Sequence, residues 1–440
     1  MSAAAVPDTV ELLGELIRFD TTNPPGAEEA CVAHVEALLK AAGCETERYE
    51  RVPGRPNLVS RLRGAGTAPP LLLHGHVDVV TTAGQRWSRE PFAGEVADGE
   101  IWGRGALDMK SGVAMLVTAF LRAKLECGTL PGDVVLAVVS DEESGGEAGA
   151  SFLVEEHPEL FEGVRHALGE FGGYSMHVGG TRFYPIQVAE KQICWLRARL
   201  RGRGGHGSVP QRGGTMARLG AFLRALDRTR LPVHVTPVAR QWIETMAAHV
   251  PRPHSLALRA LLDERTAGAA LRAVPSLARL DPVLRNTVNA TIVRGGDKIN
   301  VVPAEVEVEL DGRLLPGFGP DDMIRELRAV VGEAVELEVL RHDPAPPRPD
   351  LTLLEPLGAT LRELDPKAVP VPMLMVGFTD ARLFARLGIQ TYGFMPLRLR
   401  PDFDLFSLIH AADERVPVDA VRFGAEAVFR AVRRYGEAVA

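Results

Sequence analysis

The chain has 440 residues, a formal net charge of −7, 46% hydrophobic residues and 24% charged residues. This length exceeds what one hydrophobic core usually organises, so we expect two domains or one domain with a large insertion. The lysines and arginines are scattered, which argues against nucleic acid or an anionic membrane as a partner. The N-terminus lacks the pattern of a secretion signal, and no uninterrupted apolar run is long enough to span a membrane, so we expect a cytoplasmic protein. The four cysteines lack Cys-x-x-Cys spacing, which disfavours a disulfide framework and a thiolate metal site.

The first 190 residues have the pattern of helices alternating with buried strands. Apolar residues recur at helical spacing over 8–18 and 28–42. Continuous apolar runs at 71–73 and 134–139 predict strands buried on both faces, and 111–125 between them predicts a helix. Polar side chains that can bind metals follow both runs. Because ligands of open α/β sheets gather at the carboxyl ends of strands, a site is expected there.

The pattern changes at about residue 192. Strand-like alternation at 192–201 is followed by a Gly-rich turn, a helical segment, two more alternating segments and a helical pattern over 321–332. Residues 232–286 contain several Pro and His residues and are mostly helical in pattern. We interpret the whole as an α+β domain inserted into the first one. The predicted boundaries are 1–191 and 345–440 for the interrupted domain and 192–344 for the insertion.

Two motifs of the N-terminal part contain side chains suited to a metal site. His76 and Asp78 lie two residues apart in HGHVDVV, at a strand end where their side chains share one face. One can bind a metal while the other fixes the imidazole tautomer, although an incidental pair is an equally good interpretation. Asp108 lies in the Gly-rich segment GRGALDMKSG, either directed at a buried cation or capping the helix that follows.

Three further motifs contribute carboxylates and a second imidazole. Glu142 and Glu143 follow an apolar strand in SDEESGG, where they repel each other unless a cation lies between them or one is protonated. Alone, this motif would indicate a solvated acidic turn. Glu170 lies in LGEFGG and His410 in LIHAADERV. Together with His76 and Asp108, this nitrogen and oxygen donor set without thiolates fits a catalytic site that keeps room for water.

The order of these motifs strongly resembles the di-zinc peptidase family that contains acetylornithine deacetylase, succinyl-diaminopimelate desuccinylase, aminoacylase and glutamate carboxypeptidase. The resemblance extends from His76 to Glu414. It implies an α/β catalytic domain like that of zinc exopeptidases, with a mainly parallel sheet flanked by helices, and an inserted α+β lid and dimerisation domain. It also implies two zinc ions, with cobalt or manganese as alternatives.

Site roles follow from the same resemblance. It implies that one metal is held by His76, Asp108 and Glu170, and the other by Asp108, Glu143 and His410. Asp78 would orient His76, Glu142 would be the general base toward a water shared by the metals, and Glu414 would support the ligands. In such relatives the peptide bond after the bridging aspartate is cis, so a cis Asp108–Met109 bond is expected.

The inserted domain matches the family's lid motifs. His206, in RGRGGHGSVP, resembles the catalytic lid histidine that reaches the partner subunit's active site and stabilises the tetrahedral intermediate. This resemblance implies a homodimer paired through the lid; a solvated loop histidine is the alternative. Asn300 and Arg313 become candidates for substrate binding, since the Arg fork matches a carboxylate. A surface salt bridge is the alternative for Arg313. Thr379 lies in the substrate-loop motif GFTDARLF, where Phe378 replaces a small residue.

The sequence therefore predicts an amidohydrolase that acts on a small molecule, an N-acyl amino acid or a dipeptide with a free carboxylate. A carboxypeptidase that acts on longer peptides is the alternative within enzymes. A non-catalytic relative that keeps the fold for binding or dimerisation is the alternative outside them, and the loss of a ligand or of the base would favour it.

Overall fold

A computed structural model describes residues 6–439, and this part of the chain divides into two compact units. The first unit comprises the described residues of Met1–Val188, Asp350–Met373 and Thr379–Ala440. The second comprises Ala189–Pro349 and Leu374–Phe378. That these units act as a catalytic domain and a lid, with the boundaries given above, stays a prediction.

Secondary structure covers most of both units. The helices are α1 (Thr9–Ile17), α2 (Glu29–Ala41), α3 (Lys110–Glu126), α4 (Ala150–Glu156), α5 (Thr215–Arg228), α6 (Pro237–His249), α7 (His254–Arg259), α8 (Glu264–Ala273), α9 (Pro320–Val331), α10 (Leu354–Leu364), α11 (Ala381–Phe384), α12 (Leu405–Leu408) and α13 (Val418–Val439). Short 3-10 helices are Glu142–Ser144, Pro158–Phe161, Ala260–Leu262, Pro275–Leu284 and Ala385–Leu387.

The strands are β1 (Thr46–Tyr49), β2 (Asn57–Leu62), β3 (Leu71–His76), β4 (Glu95–Ala97), β5 (Glu100–Trp102), β6 (Val134–Val139), β7 (His166–Gly169), β8 (Met176–Val178), β9 (Thr181–Glu190), β10 (Gln192–Arg201), β11 (Gly205–His206), β12 (Thr287–Arg294), β13 (Val301–Val302), β14 (Glu305–Leu314), β15 (Glu336–Asp343), β16 (Ala368–Met375), β17 (Gln390–Gly393) and β18 (Arg415–Pro417).

The main sheet has the strand order β1-β2-β6-β3-β7-β17-β9-β16, with β8 paired to β9. Its centre, β6-β3-β7-β17, is parallel, whereas β1, β2 and β9 pair antiparallel to their neighbours. The predicted α/β fold with a mainly parallel central sheet is confirmed. The strands predicted at 71–73 and 134–139 are β3 and β6, and both are buried along their whole length, as expected of a parallel sheet covered on both faces.

Helix α3, predicted at 111–125, has few polar residues because it is buried on several sides. It packs against β3 on one side and against α1 and α13 on others, so nearly all its residues from Lys110 to Ala123 are buried. The opposite face of the sheet packs against α4 and α11, and Leu72 and Val135 belong to the same apolar cluster as Leu153 and Phe384. This packing holds the carboxyl ends of the parallel strands in fixed positions.

The second unit is an α+β layer structure. Its sheet has the order β12-β14-β10-β15, and the strands β10 and β14 alternate between buried and more exposed residues, as expected when helices cover one face. Phe222 of α5 and Leu327 of α9 belong to the same core as Leu196 and Leu310 of the sheet. The 232–286 segment forms α6, α7, α8 and short 3-10 helices.

Across residues 6–439, none of the helices combines the length and the apolar character that crossing a membrane requires.

Candidate metal centre

The site begins at the carboxyl ends of three adjacent parallel strands, β6, β3 and β7. Because β3 pairs with both neighbours in parallel, the residues that follow these strands meet at one edge of the sheet. His76 is the last residue of β3, Glu142 and Glu143 follow β6, and Glu170 follows β7. The topology therefore brings together side chains that are up to 94 positions apart in the chain.

Asp78 connects His76 to the acidic loop. The His76 ring nitrogen Nδ1 lies 3.0 Å from the Asp78 carbonyl oxygen and 3.4 Å from its Oδ1. The same carboxylate accepts hydrogen bonds from the backbone N–H groups of Glu142 and Glu143, both at 3.1 Å. Asp78, which is fully buried, thus fixes the ring of His76 and the position of both glutamates.

The acidic loop is fixed from its other side by Asp141, which has a left-handed backbone with φ of 70°. Its carboxylate accepts hydrogen bonds from Asn23 Nδ2 at 3.0 Å, Arg55 Nη1 at 2.8 Å and the Ala148 backbone N–H at 2.9 Å. Asn23 also donates to Asp78 Oδ2 at 2.8 Å. Neither Asn23 nor Arg55 is marked by a local motif, because they act on Asp141 from 118 and 86 positions away in the chain.

Asp108 lies between the two histidines. Its Oδ1 is 3.2 Å from His76 Nε2, and its Oδ2 is 3.2 Å from His410 Nε2. Helix α3 begins at Lys110, and Met109 before it provides no side-chain cap, so the carboxylate of Asp108 is directed at the imidazoles. The expected cis peptide bond Asp108–Met109 is present.

Two overlapping groups result, and each has ligand atoms within 4.8 Å of one another. They are His76, Asp108 and Glu170, and Asp108, Glu143 and His410. Glu170 Oε2 lies 3.2 Å from His76 Nε2, and Glu143 Oε1 lies 3.2 Å from His410 Nε2. Glu142 belongs to neither group, but its Oε2 lies 4.0 Å from His76 Nε2.

The electrostatics of the site are those of crowded, buried acids. Burial, reinforced by the charge of Glu170, raises the pKa of Glu142 well above its usual range. Burial also raises the pKa of Glu143 and of Glu170. Hydrogen bonding to Asp108 and Glu143 raises the pKa of His410 to about 10. The site therefore has a strong affinity for positive charge.

These residues fit a pair of divalent cations. Within residues 6–439, Glu170 Oε1 is buried and has no hydrogen-bond partner, which is costly unless a cation binds it. Asp108 presents one oxygen to each group, as a bridging carboxylate must. Imidazole nitrogens and carboxylate oxygens without thiolates are the donors of catalytic zinc sites.

The other predicted site residues lie in different places. His206 and Asn300 are neighbours in the second unit, where β11 pairs with β13 and the Gly207 N–H donates to the Asn300 carbonyl oxygen at 2.8 Å. The His206 side chain is exposed, with Nδ1 2.7 Å from Ser208 Oγ. Arg313, also in the second unit, forms a bidentate pair with Asp311 at 2.8 and 3.0 Å.

Phe378 and Thr379 lie at the boundary of the units in sequence. The Phe378 ring lies in the second unit, 4.8 Å from the Arg313 guanidinium carbon. Thr379 is buried in the first unit and accepts a hydrogen bond from the Ala381 N–H at 3.1 Å. Asp380, which the sequence analysis passed over, is buried there as well, and burial raises its pKa to about 7.

A mixed α/β fold with two adjacent groups that could each hold a cation, at the edge where parallel strands end, is the arrangement of a metal-dependent hydrolase. The particular family is Peptidase family M20/M25/M40, whose model matches residues 72–434, and the chain belongs to it. The resemblance noted from the motifs is confirmed. The protein is a metallohydrolase that acts on amide bonds.

Several known proteins are similar to this chain in sequence or in fold. The pig aminoacylase-1 is 28% identical over 423 residues, which cover 93% of this chain and 90% of that protein. A metallo-carboxypeptidase from Sulfolobus solfataricus has the same fold, with a TM-score of 0.71, 17% identity and coverage of 98% and 100% of the two chains. A dinuclear metal-binding peptidase from Bacillus subtilis has a TM-score of 0.60, 14% identity and coverage of 98% of each chain.

Proposed function

We propose that this protein hydrolyses the amide bond of N-acyl amino acids or dipeptides that carry a free carboxylate. The position of Asp108 between His76 and His410, with Glu142 beside them, is the observation that carries this proposal. The similarity to aminoacylase-1 over nearly the whole chain supports the substrate class.

Two zinc ions are the proposed cofactors, with cobalt or manganese as alternatives. His76, Glu170 and one oxygen of Asp108 would hold one ion, and Glu143, His410 and the other oxygen of Asp108 the second. Such a pair supplies a Lewis acid that polarises the scissile carbonyl and lowers the pKa of water. Asp78 keeps the His76 ring oriented for binding through Nε2.

Glu142 is the proposed general base. It lies next to the ligand groups without belonging to either, so its carboxylate stays available for proton transfer. Glu142 would take a proton from the attacking water and deliver it to the leaving nitrogen. Its raised pKa, caused by burial and by Glu170, favours holding that proton between the two steps.

Arg313 is the proposed site for the substrate carboxylate. Two of its nitrogens are held by Asp311, and within residues 6–439 its buried Nη1 has no hydrogen-bond partner. Asp311 therefore fixes the orientation of the fork and leaves one donor for an anion. The Phe378 ring over the guanidinium narrows the space beside it and would select among substrate side chains. Asn300 and Thr379 are proposed to contribute further substrate contacts.

We also propose a homodimer formed through the second unit, with His206 reaching the partner's active site. Strand β12 supports this assembly, because it is an edge strand of its sheet and its side chains from Asn289 to Arg294 are exposed. Ile292 and Val293 are 42% and 49% exposed, which is unfavourable on a free edge. A double Ile292→Glu and Val293→Glu variant should sediment as a monomer; a dimer at the same concentration would exclude this interface.

The central test is a substrate panel. N-acetyl, N-succinyl, N-formyl and N-carbamoyl amino acids and dipeptides are incubated with protein loaded with zinc or cobalt, beside the same compounds with the carboxylate converted to a carboxamide. Hydrolysis of the carboxylates alone is expected. Cleavage restricted to longer peptides would favour a carboxypeptidase, and a metal-loaded protein that cleaves nothing would favour a non-catalytic relative.

Glu142→Gln provides the matched test of the base. The variant should bind the same amount of metal and lose turnover by about 10²- to 10⁴-fold, the usual contribution of a general base. Glu147→Gln is the control, because Glu147 lies exposed in the same acidic segment. Normal turnover of the Glu142 variant would remove this residue as the base.

A further inference from the structure

The side-chain amide of Gln85 connects two loops of the first unit. Its Nε2 donates a hydrogen bond to the backbone carbonyl oxygen of His410 at 2.8 Å. Its Oε1 accepts hydrogen bonds from Arg104 Nη2 at 2.7 Å and from Trp87 Nε1 at 3.2 Å. Donor and acceptor sides of one amide are therefore both used, which fixes the amide orientation.

Arg104, which donates to this amide, is also connected by hydrogen bonds to the backbone of Asp108. Arg104 is 1% exposed, and its Nη1 donates to Glu414 Oε2 at 2.5 Å. The other oxygen of Glu414 accepts hydrogen bonds from the backbone N–H groups of Leu107 at 2.7 Å and Asp108 at 3.2 Å. A continuous chain of hydrogen bonds thus joins the backbone of Asp108 to that of His410 through Gln85.

His410 depends on such support more than the other candidate ligands. Its backbone has a φ of 62°, in the left-handed region that residues other than glycine rarely adopt. Its side chain is 46% exposed, whereas that of His76 is 1% exposed. Packing and the contact with Asp78 together fix His76, whereas the more exposed His410 depends mainly on hydrogen bonds. Gln85 bonds the carbonyl of His410 itself and resists its rotation.

A second contact holds the same two loops together. Asp413 Oδ1 accepts hydrogen bonds from the backbone N–H of Ser88 at 2.7 Å and from its Oγ at 2.9 Å. Because this contact is independent of Gln85, the loops stay close when the amide of Gln85 is changed. A Gln85 variant therefore tests the orientation of His410 without separating the two loops.

We propose that Gln85 is a positioning residue that orients His410 and thereby sets the affinity of one of the two metal sites. The affected site is that of Asp108, Glu143 and His410; the site of His76, Asp108 and Glu170 depends on Gln85 only through the backbone of Asp108. This inference rests on the proposed metal centre. It concerns how the protein's own hydrogen bonds distinguish the two sites.

Gln85→Glu separates the two sides of the amide. Glutamate has the same length and keeps an acceptor for Arg104 and Trp87, but it places an oxygen where the donor to the His410 carbonyl was. If Gln85 only held Arg104, this variant would be at least as good as the wild type, since it adds a charge pair. If Gln85 orients His410, the variant loses the hydrogen bond to the His410 carbonyl and should bind metal more weakly at that site.

The experiment is a titration of the apoprotein with zinc in competition with a chromogenic chelator, and with cobalt followed by visible absorption. Compared with wild type, Gln85→Glu should bind one of the two ions about 10- to 100-fold more weakly, the usual effect of changing a residue that orients a ligand. The other ion should bind within about 3-fold. The visible bands of the second cobalt ion should change in intensity.

Controls make the outcomes distinct. Gln241→Glu makes the same chemical change on the exposed surface of α6 and should leave both affinities unchanged. Should circular dichroism show Gln85→Glu unfolded, Gln85→Met, of similar length and without hydrogen bonds, replaces it with the same expected loss at one site. Unchanged affinities, or equal losses at both sites, would overturn the role of Gln85. A wild type that binds no metal pair would overturn the proposed metal centre itself.

Discussion

The buried amine of Lys191 allows a quantitative test of how the stability of the second unit depends on pH. It lies between β9 and β10 and is 1% exposed, and its Nζ donates a hydrogen bond to Thr287 Oγ1 at 3.0 Å. Burial, with a further contribution from the charge of Arg313, lowers the pKa of Lys191 to about 7. In the native protein the amine is therefore mostly neutral above about pH 7.

The size of the effect follows from the two pKa values. An unfolded lysine titrates near 10.5, so a native pKa of about 7 corresponds to about 5 kcal/mol in favour of the neutral form. Between pH 7 and 10.5 the unfolded chain binds the extra proton, so the stability of the native state falls as the pH falls through this window. The buried amine then costs roughly 4 kcal/mol at pH 7 and about 1 kcal/mol at pH 10.

Lys191→Met removes the titrating group and keeps the chain length. In urea unfolding, the variant should gain roughly 4 kcal/mol at pH 7 and about 1 kcal/mol at pH 10, relative to wild type at the same pH. At about 2–4 °C per kcal/mol, the melting temperature at pH 7 should rise by about 10 °C. Lys298→Met, at an exposed lysine of the same unit, should show no pH-dependent difference. A gain that is equal at pH 7 and pH 10 would refute the reasoning, because it would mean that Lys191 stays charged in the native state.

Two other predictions concern the site. Removal of metal with a chelator should lower the melting temperature, because Glu142, Glu143 and Glu170 then repel one another. Zinc at a free concentration of 100 times the Kd of a site should restore about 2.7 kcal/mol for each occupied site, measured by calorimetry. A melting temperature that is insensitive to zinc would contradict this prediction. Arg313→Lys should raise KM for the carboxylate substrates by about 10-fold or more, with little change in kcat. The reason is that lysine lacks the planar guanidinium that Asp311 orients. Equal KM values for variant and wild type would mean that the substrate carboxylate binds elsewhere.

The sequence predicted most of what is local. Helices α1, α2 and α3 begin and end within one residue of the predicted ranges, since apolar periodicity fixes them. The motifs also identified the side chains that the structure gathers in two groups, including Asp108. For Arg313 the sequence left substrate binding and a salt bridge as alternatives. The structure contains the salt bridge, with Asp311 two residues earlier on the same face of β14, and substrate binding stays a prediction.

Contacts between distant segments could not be predicted in the same way. Gln85 lies 325 positions from His410, and Arg104 lies 310 positions from Glu414, so no periodicity or spacing relates them. The ring of Phe378 was recognised as unusual, but its position over Arg313 depends on how its segment folds into the second unit. Such contacts depend on tertiary packing, which local patterns in a single sequence do not specify.

The chain enters the second unit twice, and this limits how the protein can be engineered. Beyond 189–349, the unit includes the short segment Leu374–Phe378, whose Met375 carbonyl accepts the Lys191 N–H at 3.0 Å and which also contains Phe378. A chimera that exchanges only the continuous stretch would combine a foreign Lys191 position with a native 374–378 segment. Transplanting this unit between relatives therefore requires two coordinated grafts, and libraries that recombine at a single pair of crossover points will separate residues that belong together.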